Sequence, residues 1–291
     1  MRVSLLFNPS AGAGDGTLHQ ILDALAQHGH QVVSLIDSKA EAERLLERPC
    51  DLLVAAGGDG TVALAAPAAA RLGVPMAILP TGNANNIALT FGIQAPLADV
   101  IQGWNVERFR PLDLGIARGS WGTRLFVESV GVGLVSAGIA EADWGTGKEA
   151  KDGLTSLART AQLYRVALNR LRPERCTVRV DGNQVAGEFL LIEVLNIPFV
   201  GPNLVFAADA NPSDGCLSIA VAGPDQRTQL DDYLRHRLEG TDCPVTLKRY
   251  EGRRIEIENP RCVHVDDQVY KFESRTTVSI EIKSKAVSVL I

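Results

Sequence analysis

The sequence predicts an α/β domain with a parallel sheet and helices on both faces, followed by a mostly antiparallel β-sandwich domain. Three observations lead there. Over roughly the first 110 residues, near-continuous apolar runs of strand length alternate with helix-period segments. Several of these runs end in turns rich in glycine or asparagine. Beyond Gly115 the pattern changes to short β runs, several of which alternate apolar and polar residues.

The elements follow in order. Residues 3–7 form a buried-strand run that stops at the turn chemistry of Asn8, Pro9 and Ser10. Leu18, Ile21, Leu22 and Leu25 recur at i, i+3, i+4 and i+7, one face of a helix ending near Gly29. A strand at 32–36, a short helix at 40–47 and a strand at 52–56 come next. An Ala-rich helical stretch interrupted by Pro67 then leads to a strand at 75–79. In the second half, residues 177–180, 189–194, 217–221, 245–247, 255–257 and 278–282 read as strands, with Asp181-Gly182 as a turn. Leu157, Ala161, Tyr164, Leu168 and Leu171 mark its one good helix. The boundary falls between residues 112 and 113, giving domains 1–112 and 113–291, the last strand being free to return to the first domain.

Composition narrows the function. A chain of 291 residues with 46% hydrophobic and 22% charged residues is an ordinary globular protein, not a disordered or low-complexity one. The net charge of −5 offers no global field for nucleic acid, so none is expected as a partner. Five widely spaced cysteines without a C-x-x-C pair read as free thiols in a reducing compartment. No apolar run approaches the roughly 20 residues of a membrane span. A cytoplasmic protein is expected.

The segment Gly57-Gly58-Asp59-Gly60-Thr61 follows a buried strand. Three glycines in five residues let bare backbone N–H groups approach a ligand, as a phosphate requires, at the strand end where open α/β sheets bind. Here Asp59 can orient a metal or a hydroxyl, and Thr61 can hydrogen-bond a phosphate. The amide-rich loop Pro80-Thr81-Gly82-Asn83-Ala84-Asn85-Asn86 follows the next strand and suits a polar ligand. Walker-type, dinucleotide, H-E-x-x-H and nucleophile-elbow motifs are absent. The cluster Lys248, Arg249, Arg253 and Arg254 reads as a solvated strand face, and Trp144 to Lys148, with Lys151 nearby, as an exposed loop, solvated with its Trp packed on its own domain in preference to touching a membrane surface.

Together these segments resemble the catalytic domain shared by diacylglycerol kinases, sphingosine kinases and bacterial lipid kinases. The resemblance rests on Gly57 to Thr61, on Pro80-x-Gly82-x-x-Asn85-x-x-Ala88 and on Asn8-Pro9-x-x-Gly12. It extends through Pro111-Leu112-Asp113-Leu114-Gly115, through Asp209 to Leu217, and to Val265-Asp266-Asp267-Gln268, where the family carries Asp-Gly-Glu. It implies an ATP-dependent, Mg²⁺-dependent kinase that phosphorylates a hydroxyl of a diacylglycerol-like lipid at the inner membrane face. ATP is implied on Asn8, Gly57, Gly58, Asp59, Gly60, Thr61, Gly82, Asn83 and Asn85, with the lipid hydroxyl entering between the domains. A structural Mg²⁺ is implied on Asp214 and on the carbonyls of Asn211 and Cys216. Asp59, Asp266 and Gln268 stand at the implied catalytic positions.

The departures bear on activity. Ala63-Leu64 replaces the family's Asn-Glu, Asn83 its loop Thr, Asn86 its Asp, and Gln268 its proposed proton acceptor. A glutamine cannot take a proton at neutral pH, which leaves that role to Asp266 or Asp267. Two alternatives stand beside the lipid kinase. One is a catalytically weak or inactive nucleotide or lipid sensor, and the other an NAD kinase-like enzyme, which also carries Gly-Gly-Asp-Gly-Thr.

Overall fold

The computed structural model describes residues 1–11, 16–104, 108–145, 155–241 and 243–291. The chain divides into two compact units, Met1–Leu114 with Ser284–Ile291, and Gly115–Lys283.

The first unit runs β1 (Arg2–Phe7), α1 (Thr17–Gln27), β2 (Gln31–Ile36), a 3₁₀ segment (Lys39–Leu46), β3 (Leu52–Gly57), α2 (Asp59–Leu72), β4 (Met76–Pro80), α3 (Asn86–Phe91) and α4 (Leu97–Gln102). The strands form a parallel sheet in the order β2-β1-β3-β4. All six residues of β3 are buried, as expected of a strand covered on both faces. Helix α1 buries Ile21, Ala24 and Leu25 and packs Leu18 and Leu22 at the edge of the same core, the face set by its apolar spacing. Helix α2 runs through Pro67 instead of being interrupted there. Buried Val62, Ala65, Ala66, Ala68 and Ala69 hold it to its neighbours, which outweighs the backbone hydrogen bond that a proline cannot donate.

The strands β5 (Phe109–Gly119) and β18 (Thr277–Leu290) carry the chain across the division at Leu114 and Ser284. The end of β18 joins the first unit, with Val289 beside Met76. The second unit continues β6 (Gly122–Phe126), β7 (Ser129–Gly133), α5 (Leu134–Gly145), α6 (Ser156–Arg170), β8 (Glu174–Val180), β9 (Asn183–Phe189) and β10 (Leu191–Leu195). A two-residue hairpin, β11 (Phe199–Val200) with β12 (Leu204–Val205), precedes β13 (Leu217–Ala222) and α7 (Arg227–Glu239). The unit closes with β14 (Lys248–Gly252), β15 (Arg254–Glu258), β16 (Cys262–Val265) and β17 (Gln268–Lys271).

Antiparallel pairing of β15 with β18 and β8, and of β8 with β9, builds one sheet, with β5 and β6 as a further antiparallel pair. The second sheet is antiparallel throughout, in the order β14-β13-β10-β7-β16-β17. Val130, Val132, Ile192, Val194, Val263 and Val265 of this sheet share a core with Val178, Val180, Ile255, Ile257, Val278 and Ile280 of the other. On its opposite face Leu191 and Leu195 pack with Tyr164, Leu168, Leu230, Tyr233 and Leu234 of helices α6 and α7.

Several elements differ from the sequence expectation. Residues 245–247 are not a strand; β14 begins at Lys248. Helix α5 (LVSAGIAEADWG) has apolar and small residues around most of its circumference, so no amphipathic stripe announces it. Helix α7 hides its three buried residues, Leu230, Tyr233 and Leu234, among charged neighbours. The expected Asp181-Gly182 turn is present, with φ of 46° and 89°.

Asp113 lies wholly buried at the end of the first unit, and its Oδ1 accepts the backbone N–H of Lys285, itself at φ 49°. This bond ties the returning segment to the strand that leaves the unit. Substituting Asp113→Ala strands that donor, and the expected result is a loss of about 1–3 kcal/mol in urea unfolding. An unchanged midpoint would show that the segment is held by its other contacts.

Candidate active site

Strands β1, β3 and β4 are parallel neighbours, so their carboxyl ends open at one edge of the sheet. The Asn8 N–H donates to the Ala56 carbonyl at 2.9 Å, which fixes the first loop against the end of β3, and Asn8 Oδ1 accepts the Ser10 N–H at 3.1 Å. Gly12 lies outside the described residues.

The other two loops interlock. The Thr81 N–H donates to the Gly57 carbonyl at 3.1 Å, and the Gly58 and Gly82 backbones lie against each other. A Cβ on Gly82 would run into the Gly58 Cα and stand 3.0 Å from the Gly58 nitrogen. A Cβ on Gly57 would occupy the place of the Thr61 hydroxyl. Glycine is therefore demanded here by close approach. Asn85 sits at φ 50°, a conformation that asparagine tolerates. Its Oδ1 accepts the Gly82 N–H at 3.0 Å and its Nδ2 donates to the Gly82 carbonyl at 2.8 Å, closing the turn.

Asp59 joins the two loops. Its Oδ1 accepts the Ile87 N–H at 2.9 Å, and the N–H groups of Asn85 and Asn86 also face the carboxylate. It thus caps the start of α3 from the first turn of α2. Burial pushes the Asp59 carboxyl above its ordinary pKa, and these N–H groups pull against that rise. Thr61 is buried, and neither its hydroxyl nor the buried Thr81 hydroxyl has a hydrogen-bond partner among the described residues. Asn83 is exposed at the loop tip. The glycine-rich start of α2 and the exposed Asn83 amide offer donors of the kind that suit phosphate oxygens, while the Thr61 N–H and the Asn85 amide are already given to the Gly58 and Gly82 carbonyls. Among the sequence candidates, Asn8, Gly57 to Thr61, Gly82, Asn83 and Asn85 all lie on these three neighbouring loops. Thr81 was not among them; its position between Pro80 and Gly82 gave no signal of a buried hydroxyl.

In the second unit, Asp266 and Gln268 lie on one turn between β16 and β17. The buried Asp266 carboxylate accepts N–H groups from Val127, Glu128 and Ser129, the Glu128 bond at 2.9 Å, and its backbone is at φ 49°. Burial pushes the Asp266 carboxyl up to about 6 against the pull of those N–H groups. Asp267 and Gln268 are exposed, and an Asp267 oxygen stands 3.9 Å from Arg124 Nη2.

The segment Asn211 to Cys216 forms two successive side-chain-closed turns. Asn211 Oδ1 accepts from the Ser213 N–H and hydroxyl, and Asp214 Oδ1 accepts the Cys216 N–H at 2.9 Å. Among the described residues no group of three or more His, Cys, Asp or Glu side chains could hold a metal. A cation here would rest on the exposed Asp214 carboxylate and on main-chain carbonyls, a hard-oxygen set that suits Mg²⁺. Residues 146–154 and the side chain of Trp144 lie outside the description. Lys248, Arg249, Arg253 and Arg254 are exposed on the strand face, where Arg249 pairs with Asp209.

Residues 2–117 match the family described as the diacylglycerol kinase catalytic domain. Residues 133–291 match the YegS C-terminal NAD kinase beta sandwich-like domain. The chain belongs to this lipid-kinase family. It is accordingly a phosphotransferase with an alcohol group as acceptor. Among the similar proteins, one named diacylglycerol kinase from Mycobacterium tuberculosis (strain ATCC 25618 / H37Rv) is 28% identical over 246 residues, covering 79% of this chain and 75% of that one. One of the same name from Bacillus subtilis (strain 168) is 26% identical, covering 80% and 77%. A probable lipid kinase YegS-like from Klebsiella pneumoniae (strain 342) is 27% identical, covering 75% and 73%. A crystal structure of a diacylglycerol kinase from Bacillus anthracis str. Sterne shares the fold, with a TM-score of 0.72 at 23% identity over 99% of this chain and 96% of that one.

Two outcomes test this lipid-kinase geometry. Gly82→Ala forces the two loops apart, with an expected loss of about 1–3 kcal/mol in stability and of nucleotide affinity in calorimetry. Wild-type affinity in that variant would show that the loops act separately. For Asp266, a folded-state pKa raised from 3.8 to about 6 means that the native state holds its proton longer than the unfolded chain. Its contribution to stability is present below about 4 and lost as pH rises towards about 6. Urea midpoints of the wild type should therefore fall over that window relative to Asp266→Asn, and parallel curves would refute the assignment.

Proposed function

We propose that the protein transfers the γ-phosphate of ATP to the hydroxyl of a diacylglycerol-like lipid. The observation that supports this most is the interlocked pair of glycine loops, because a phosphate needs several backbone donors brought close on a fixed frame. The phosphates would rest on Gly57 to Thr61, Gly82, Asn83 and Asn85, with Asn8 at the edge. Asp59 acts by fixing the loop of residues 80–86 against the loop of residues 57–61. Mg²⁺, when bound, would neutralise phosphate charge, and a structural Mg²⁺ would be held by Asp214 with the carbonyls of Asn211 and Cys216.

The reaction breaks the bond between the γ-phosphorus and the β–γ bridging oxygen and forms one to the lipid oxygen, whose proton must leave. Gln268 can hydrogen-bond that hydroxyl but cannot take its proton. Asp266 spends its carboxylate on three backbone N–H groups. Asp267, the exposed carboxylate on the same turn, is the acceptor this reading favours. The lipid resides at a membrane surface. In this reading the protein meets that surface peripherally from the cytoplasm; no described helix is long and apolar enough to cross a membrane. A second reading, a binding protein with little or no turnover, draws on one observation, the glutamine at position 268.

The test is transfer of radiolabelled γ-phosphate from ATP into a panel of micellar lipids with Mg²⁺. Label is expected in a diacylglycerol-like lipid, absent in Asp59→Ala and reduced about 100-fold or more in Asp267→Asn. Undiminished transfer in Asp267→Asn, or a large gain in Gln268→Glu, would remove Asp267 from the role. Calorimetric ATP binding without transfer into any lipid would favour the binding protein.

A further inference from the structure

Strand alternation decides which side chains of the second sheet leave the sandwich core. Val130 and Val132 of β7, Ile192 and Val194 of β10, and Val263 and Val265 of β16 enter that core. Ser129, Gly131, Glu193 and His264 therefore point to the opposite face. Strand β7 lies between β10 and β16, and Gly131 is opposite Glu193 on one side and His264 on the other. Two strands separated by a third lie about 9–10 Å apart, so such side chains meet only over an empty position. Gly131 supplies it: a Cβ there would run into the Glu193 carboxylate.

Across this gap His264 Nε2 stands 2.9 Å from Glu193 Oε1, with both residues fully buried. His264 Nδ1 stands 2.9 Å from the Asp266 carbonyl. One ring nitrogen faces a carboxylate and the other a carbonyl, and an imidazolium donates to both. Among the described residues Glu193 Oε2 and the Ser129 hydroxyl have no hydrogen-bond partner. A buried ion pair contributes little net stability, because desolvating two charges offsets their attraction. Its third contact offers a reason for the pair. Asp266 carries φ 49° and leads directly into Asp267 and Gln268. Its carboxylate is held by the Val127 to Ser129 N–H groups and its carbonyl by His264.

We propose that Glu193 and His264 are positioning residues: charged as a pair across Gly131, they clamp the Asp266 carbonyl and so fix the Asp266–Gln268 turn that presents the proton-accepting carboxylate. This rests on the phosphotransfer reading for its catalytic part, and the clamp itself is measurable without turnover.

The full-length chain is compared with Glu193→Gln, His264→Gln and the double variant Glu193→Met with His264→Leu, which replaces the pair by apolar side chains. Nitrogen-15 NMR of the wild-type imidazole at pH 8 should show both ring nitrogens protonated, and Glu193→Gln should abolish that signature. Amide hydrogen exchange at residues 266–268 should rise about 10-fold or more in every variant. The turnover number should fall about 10- to 100-fold with KM for ATP unchanged. If a single variant does not fold, the double variant decides, since fast exchange at the turn with a wild-type melting temperature still supports a clamp. A neutral imidazole in the wild type, unchanged exchange, or fast exchange with an undiminished turnover number would each overturn the proposal. A wild type that transfers no phosphate would sink the kinase reading instead, and the ring signature and exchange rates would then alone uphold or overturn the clamp.

Discussion

The contact between Gly58 and Gly82 sets the terms for the first unit. Two loops from neighbouring parallel strands touch through backbone, an approach that a Cβ on Gly82 would block and one on Gly58 would crowd. Everything around them serves that approach. The Thr81 N–H to Gly57 carbonyl bond joins the loop stems, Asn85 closes the far turn on Gly82, and Asp59 reaches from the start of α2 to cap α3. A frame of this kind presents backbone donors at fixed spacing, and preorganisation of that sort is most of what phosphoryl transfer asks of a protein.

The same economy governs the carboxylates. Asp59, Asp113 and Asp266 lie in segments that carry the resemblance, and each of them accepts backbone N–H groups in the structure. They act as ties between segments distant in sequence: 28 residues for Asp59 to Ile87 and 138 for Asp266 to Glu128. A buried carboxylate already satisfied by N–H donors is held in place and is poorly free to reach a substrate. The proposed chemistry therefore falls to polar side chains that remain exposed, Asp267 and Gln268 on their turn and Asn83 on its loop.

Much of this was legible in the sequence, and the reason differs by element. The parallel strands and the paired loops could be read because apolar runs and glycine spacing are local signals. Likewise the Asp181-Gly182 turn declared itself by residue type. Helices α5 and α7 could not be read, one being apolar around most of its surface and the other polar almost throughout. The interlock of Gly58 with Gly82 and the meeting of Glu193 with His264 depend on strand neighbours that no local window contains. Glu193 did leave a trace. An acid inside the run Leu191-Ile192-Glu193-Val194-Leu195 has no place in a buried strand unless a partner waits for it. Nothing in the run says which strand brings that partner, so the pair itself was not legible.

Position 268 shows why a missing carboxylate does not by itself decide activity. In a loose phosphoryl-transfer transition state the bond to the attacking oxygen is little formed, so the strength of the proton acceptor matters less than where it stands. A glutamine can still orient the hydroxyl, and an acid one residue earlier can still take the proton, provided that the turn holds both in place. That condition moves the weight of the chemistry from the identity of residue 268 to the rigidity of the backbone beneath it. In this chain that backbone is gripped twice, through the Asp266 carboxylate and through its carbonyl. A glycine in the middle strand, a glutamate from one neighbour and a histidine from the other make the second grip. The substitution that looks most damaging in the sequence thus sits on a turn held through both the carboxylate and the carbonyl of Asp266.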